Sequence, residues 1–243
     1  TYTGEYKKYK IEKNGSMTSS DNTGGSSGEI VEMVGSYGIT ESKKLIKMNI
    51  TQDRNVWKEA TIGEEVSEVG TVKEAYSGPC GKHFIINDEG DVYSWGENRE
   101  GRLGIGNTTN QSAPVKINAL SNIKEIYTDG YSSWALTKTG DVYSWGDNGY
   151  GQLGIGNTTD QSVPIKISTL TNIKNIYTNG YSSWALTKTG DVYAWGSNEY
   201  GQLGIGIKGD QQTPVKLNSL TNIEKIYTRG YSSFAKTILG DIY

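Results

Sequence analysis

The chain repeats itself. Gly-Asp-Val-Tyr-Ser-Trp-Gly begins at Gly90 and again at Gly140, Gly-Asp-Val-Tyr-Ala-Trp-Gly begins at Gly190, and Gly-Asp-Ile-Tyr runs from Gly240. Aligned on a period of about 50 residues, 90–139 and 140–189 agree at roughly 38 positions. A period of that size belongs to propellers and solenoids, where each unit buries its faces against its neighbours. Helical arrays would show apolar residues at a 3.6-residue period, and none is visible here. Each unit instead carries short runs of Tyr, Trp, Val, Ile and Thr separated by Gly, Asn and Pro, the pattern of strands and tight turns.

One unit reads as four strands: Ile165–Ile167 directly after Pro164, then Ile173–Thr178, Ser183–Thr187 and Asp191–Trp195. Pro is confined to strand starts, edges or bulges because it cannot donate to a ladder. Lys188-Thr189-Gly190 makes a tight hairpin between the last two strands, with Gly190 free to take positive φ, and Gly140 holds the same place one repeat earlier. Val192 lies on one face of its strand and Tyr193 and Trp195 on the other. A strand apolar on both faces suits a blade held between two neighbours. The expected fold is all-β, with β-propeller blades of about 50 residues each in a partial or open propeller of about four to five blades.

Three segments follow from this. Residues 90–243 hold the regular repeats. Residues 30–89 hold degenerate ones: Cys80-Gly-Lys-His83-Phe-Ile-Ile86 aligns without a gap on Gly130-Tyr-Ser-Ser133-Trp-Ala-Leu136, and Gly35–Thr40 with Lys44–Met48 resemble decayed third and fourth strands. Residues 1–29 combine one isolated strand, Tyr6–Glu12, with a small, polar stretch over 14–29 that reads as a loop or linker.

Composition removes whole classes of function. The 243 residues carry 24 Lys+Arg against 27 Asp+Glu, a net charge of -3, which argues against a nucleic-acid partner. One Cys and one His make a disulfide framework, a catalytic triad or a multi-histidine metal centre a poor fit. No apolar run approaches the roughly 20 residues that span a bilayer. No paired carboxylates stand in a glycosidase context, and no cofactor is expected.

Each motif has a structural reading beside a functional one. Gly151-Gln-Leu-Gly154-Ile-Gly156 lacks the Lys-Ser/Thr of a phosphate loop and recurs at Gly101 and Gly201, which favours a structural turn. Trp95, Trp145 and Trp195 recur at one phase of one strand, as packing between blades requires, and Trp134, Trp184 and Phe234 read the same way. His83 beside Cys80 reads as a half-buried His and a small core Cys rather than a metal site or active thiol. Positions that change between near-identical repeats escape the demands of the fold. They are Asp129/Asn179/Arg229, together with Glu97, Arg99 and Glu100, Asp147 and Tyr150, and Ser197, Glu199 and Tyr200. These last eight fall in equivalent loops, where propellers carry binding surfaces, and form the candidate protein-binding face.

At Gly180…Ala185-Leu-Thr187…Gly190-Asp-Val-Tyr-Ala-Trp195-Gly196-Ser-Asn198-Glu-Tyr-Gly201-Gln-Leu-Gly204-Ile-Gly206 the chain resembles the regulator of chromosome condensation repeat family. The match is firm over 90–243 and loose over 30–89. The resemblance implies a β-propeller, usually of seven blades. Members implied by it include exchange factors for a small GTPase on chromatin, secreted bacterial proteins, and an inhibitor of β-lactamases. Two departures stand out. The family's His position is Ser133, Ser183 and Ser233 here, with His83 alone retained. No long insertion interrupts 90–243 to serve as an exchange factor's wedge.

Seven such blades would need about 350 residues, so the expectation is an open ring. Lys236 replaces a core Leu of the other repeats, which points to a changed or partner-covered environment. The function expected is a non-enzymatic scaffold for a protein partner, probable setting extracellular or cell-surface on a bacterium, with a cytoplasmic one as the alternative. A self-assembling filament or ring subunit, closed by the Tyr6–Glu12 strand of a second copy, is the second expectation. A GTPase exchange factor is the third.

Overall fold

Short β-rich runs cut by Gly and Asn turns leave the chain no way to satisfy its backbone except by hairpins. The computed structural model describes residues 9–11, 17–19, 30–53 and 56–243. They form two units, one of residues up to Ser77 with Ile85–Glu89, the other of Gly78–Phe84 with Gly90–Tyr243.

In the first unit β1 (Tyr9–Ile11) pairs antiparallel with β2 (Met17–Ser19), and β3 (Ile30–Val34), β4 (Tyr37–Thr40), β5 (Leu45–Asp53) and β6 (Val56–Glu65) make one antiparallel four-stranded sheet. A blade does begin at Ile30, and its middle strands fall on the decayed motif. The expected isolated strand is corrected: Tyr9–Ile11 has its own partner, Met17–Ser19, inside the stretch read as loop. The rest of 1–29 lies outside the described residues. Next come β7 (Val72–Ser77), β8 (Lys82–Asn87), β9 (Val92–Gly96) and β10 (Gln111–Lys116), in the sheet order β10-β9-β8-β7.

The regular blades belong to the second unit. One is β11 (Ile123–Thr128), β12 (Ser132–Thr137), β13 (Val142–Gly146) and β14 (Gln161–Lys166). Its copy is β15 (Ile173–Thr178), β16 (Ser182–Thr187), β17 (Val192–Gly196) and β18 (Gln211–Lys216), followed by a two-stranded sheet of β19 (Ile223–Arg229) and β20 (Ser232–Thr237). The described residues thus make four four-stranded sheets and one two-stranded sheet beyond β1-β2.

One boundary differs from the sequence reading. The strand at Ile165 starts earlier, at Gln161, and pairs with β13 through Tyr143↔Lys166, Ser144↔Ile165 and Gly146↔Gln161. It closes the preceding blade instead of opening the next. Pro164 sits where the register shifts between Gly146 and Ser144, on an outer strand that needs no N–H from it. The turn at 188–190 is as expected: Gly190 has φ +87, and a Cβ there would lie 3.1 Å from the Asn222 backbone.

The core lies between blades. Trp134, Leu136, Val142, Ile167, Leu170, Ile173, Ile176, Ala185 and Trp195 form one cluster, and the same positions moved on by one repeat supply most of the next. Trp95, Trp145 and Trp195 are all buried, as are Trp134 and Trp184. Phe234 is not; it is 53% exposed.

Candidate protein-interaction face

Each regular blade sends two connections to the same end. One is the hairpin turn at 129–131 or 179–181. The other is the long loop at 147–160 or 197–210. They are tied together, since Asp147 N donates to Tyr131 O at 3.2 Å and Ser132 Oγ to Asp147 O at 2.8 Å, while Ser197 N donates to Tyr181 O at 2.8 Å.

A buried Asn orders each long loop. The Asn148 side chain donates to Asn157 O at 2.9 Å and Thr159 O at 3.1 Å, and its Oδ1 accepts from Leu153 N at 3.0 Å. Asn98 and Asn198 repeat the arrangement. An Asn saturated from both ends of its amide fixes a loop as firmly as a short strand would. The Gly-Gln-Leu-Gly run is therefore a held turn; in it Gly154 packs so closely on Trp195 that a Cβ would come 2.8 Å from the indole nitrogen.

The variable positions divide in two. Glu97, Asp147 and Ser197 each face the residue five places on, and the pair changes together. Arg102 pairs with Glu97 and Glu100, the Gln152 amide donates to Asp147 Oδ1, and the Gln202 amide donates to Ser197 Oγ at 3.2 Å. Ser197 is buried, and Glu97, Glu100 and Asp147 are half-buried. Asp129 and Asn179 cap the hairpin turns: Asp129 Oδ1 accepts from Tyr131 N and Ser132 N at 2.8 Å each, and its other oxygen accepts from Thr178 Oγ1 of the next blade at 2.6 Å. Such variation is matched locally, and the fold does use it. Arg99, Tyr150, Glu199 and Tyr200 stand exposed at this end.

The largest feature there is one that variation could not find. Tyr131 and Tyr181 recur unchanged, yet both project to the surface, with ring centroids 5.5 Å apart and near parallel. Tyr150 meets Tyr181 edge-on at 5.3 Å, and Tyr200 meets Tyr231 at 4.8 Å. The five rings are between 38% and 64% exposed. The Tyr131 hydroxyl, hydrogen-bonded to that of Tyr181, pushes the Tyr181 phenol up to about 12, with burial adding to it. Beneath them Arg102, itself buried, reaches 6.0 Å from the Tyr131 ring and donates to Gly130 O at 2.9 Å. The signal available in the sequence was a Tyr directly after the hairpin Gly in every repeat.

At the corresponding place in the preceding repeat, Lys82 replaces the Ser of the regular blades. It is fully buried, and its Nζ donates to Ser132 O at 2.9 Å and Ser133 Oγ at 3.4 Å. Burial pulls its pKa down to about 8, with the nearby Asp129 carboxylate opposing. His83 is half-buried against Trp95, at 5.4 Å, and burial lowers its pKa. Cys80 corrects the expectation of a core thiol: it is exposed, because it sits at φ +63 in the turn before β8. Among the described residues no cluster of three or more His, Cys, Asp or Glu could hold a metal ion. None of their helices is long and apolar enough to cross a membrane.

Known proteins repeat this arrangement. Mouse Protein RCC2 is 44% identical over 52 residues, 21% of this chain and 10% of its own length; the zebrafish homolog is 49% identical over 45 residues, 18% and 9%. The chain thus spans about a tenth of these curated relatives. Among solved structures, human WBSCR16 gives a TM-score of 0.64 at 20% identity, over 85% of this chain and 57% of that one. Yeast RCC1 (Prp20), solved bound to Kap60, gives 0.63 at 18% identity, over 85% and 53%. At such identities the likeness is one of fold, that of a β-propeller. The family model described as the regulator of chromosome condensation (RCC1) repeat matches at 89–132, 139–183 and 189–235, more than half of the sequence, and the chain belongs to that family.

Proposed function

We propose that this chain is a non-enzymatic scaffold that binds a protein partner through the tyrosine-lined end of its regular blades. The observation that carries the reading is the set Tyr131, Tyr150, Tyr181, Tyr200 and Tyr231, exposed on loops that buried Asn residues hold in place. Tyr is enriched at interfaces because a rigid ring with a polar tip buries much area at little entropic cost. The flanking charges, Glu199 beside Arg99 and the half-buried Glu97 and Asp147, supply a polar rim. The titles of related structures speak of Kap60, and of binding to Gsp1p and histones, as partners of Prp20p. A protein partner here is the shared element.

The test is site-specific photo-crosslinking in the native host. A crosslinker at Tyr200 should capture a partner that one at Lys188, in the turn at the far end of β16, does not. Tyr131→Ala with Tyr181→Ala should abolish capture while melting stays within a degree or two. Equal capture from both ends defeats the proposal. Release of labelled GDP from a small GTPase would move the reading to an exchange factor, and concentration-dependent growth in size to a self-assembling subunit.

A further inference from the structure

Two joints between blades are built alike. At the first, Trp145 Nε1 donates to Arg102 O at 2.9 Å, Ser133 Oγ donates to the same carbonyl at 3.2 Å, and a Cβ on Gly104 would fall 2.8 Å from the indole nitrogen. At the second, Trp195 Nε1 donates to Gln152 O at 2.7 Å and Ser183 Oγ at 3.1 Å, with Gly154 again 2.8 Å from the ring. The walls of the second joint include Trp134, Val142, Ile167, Leu170, Ile176 and Ala185.

Fifty residues on, every wall returns. Trp184, Val192, Leu217, Leu220, Ile226 and Ala235 line an apolar cleft with a volume of about 250 Å³, floored by Leu203 and Gly204. Gln202 O accepts from Ser233 Oγ at 2.7 Å, as its equivalents do from theirs. Here, though, a Cβ on Gly204 would meet only Leu217, at 3.5 Å. We propose that this cleft is a receptor for a Trp-Gly unit carried by an extended segment of a partner polypeptide. It continues, at a third position, an interface the chain already makes twice.

The chemistry narrows the ligand. Apolar cavities of about 150 Å³ take up benzene, so this one suits the larger indole. The indole N–H needs an acceptor when buried, and the Gln202 carbonyl supplies it as Arg102 and Gln152 do. The residue after the Trp must be Gly: Gly146 and Gly196 have φ of +101 and +94, and a Cβ on either would lie within 2.6 Å of the Tyr131 or Tyr181 carbonyl. The segment's main chain follows the line set by Tyr243, whose N–H and carbonyl bond Ala235 at 2.9 and 3.0 Å.

The test adds the peptide acetyl-Val-Tyr-Ala-Trp-Gly-amide, the chain's own 192–196, to the intact protein. Saturable binding that raises Tm is expected. A peptide with Ala for Trp, or Val for Gly, should bind at least tenfold more weakly. Gly204→Ala should fold, since its methyl has ordinary contact in the open cleft, and should lose the Trp peptide to the 2.8 Å clash. Should that variant melt early because of its φ of +71, the Gly-to-Val peptide carries the decision without any change in the protein. Equal binding of all three peptides, or no binding at millimolar concentration, overturns the proposal. So do dimers of the chain alone that Gly204→Ala dissolves, because the occupant is then a second copy.

Discussion

Trp184 and Phe234 occupy the same place in successive blades, and their fates differ. Trp184 is 2% exposed and Phe234 53%. Both sit in the second strand of a blade and follow a Gly-Tyr-Ser-Ser sequence. What separates them is cover: β17, β18 and the next blade close over the first, while β20 has only the Lys236↔Ile242 bridge and the Tyr243 backbone beside it. Lys236 tells the same story. Where Leu186 is buried, Lys236 reaches Glu224 at 2.9 Å near solvent. A repeat sequence specifies a surface, and its neighbours decide whether that surface becomes core.

Substitution should reproduce that difference. Trp145→Ala removes a large buried ring and its hydrogen bond, and should cost about 3–5 kcal/mol. Phe234→Ala should cost less than about 1 kcal/mol. Chemical denaturation reads both, and a Phe234 cost near that of Trp145 would break the comparison.

A smaller contrast lies in the turns. Gly190 and Gly240 both take positive φ, but a Cβ on Gly190 meets the Asn222 backbone and one on Gly240 meets nothing within 4 Å. Backbone strain alone gives each Val variant a penalty of about 1–3 kcal/mol. Gly190→Val should exceed Gly240→Val by the added clash. Equal melting losses would show that the turn strain alone matters.

The smallest effect concerns Lys82, where the regular blades have Ser. Its folded pKa of about 8 lies below the ordinary 10.5, so between those values the unfolded chain binds more protons. Stability then rises with pH through that window. Lys82→Ser removes the linkage. The variant should be ahead of the parent at pH 7, and the gap in Tm should narrow as pH approaches 10.5. A gap independent of pH would mean that the ammonium is not the source of the cost.

Strand placement was legible because alternation and turn residues are local. Ile173–Thr178 is matched at both ends, and β16 and β17 within one residue. Where a blade begins was not legible. A periodic sequence is the same from any starting point, and only the hydrogen bonds assign Gln161–Lys166 to β13. The candidate face was half visible. Arg99, Tyr150, Glu199 and Tyr200 stood out by varying, but Tyr131 and Tyr181 are uniform and so resembled core. Conversely, Ser197 varies for a reason internal to its loop, its partner Gln202. Exposure of Cys80 and Phe234 depends on a turn conformation and a missing cover, neither of which residue type encodes.

The carbonyls of Arg102 and Gln152 that receive the indoles have a consequence for how such a chain can diversify. The joint between blades is made by main chain on one side, so it is indifferent to the identity of the residue that makes it. That residue's side chain turns instead to its loop partner, as Arg102 to Glu97 and Gln152 to Asp147. Each such couple is therefore a detachable cassette. Exchanged together from one blade to another, the two residues would redraw the charge of the loop end while the joint beneath went on accepting the same two donors.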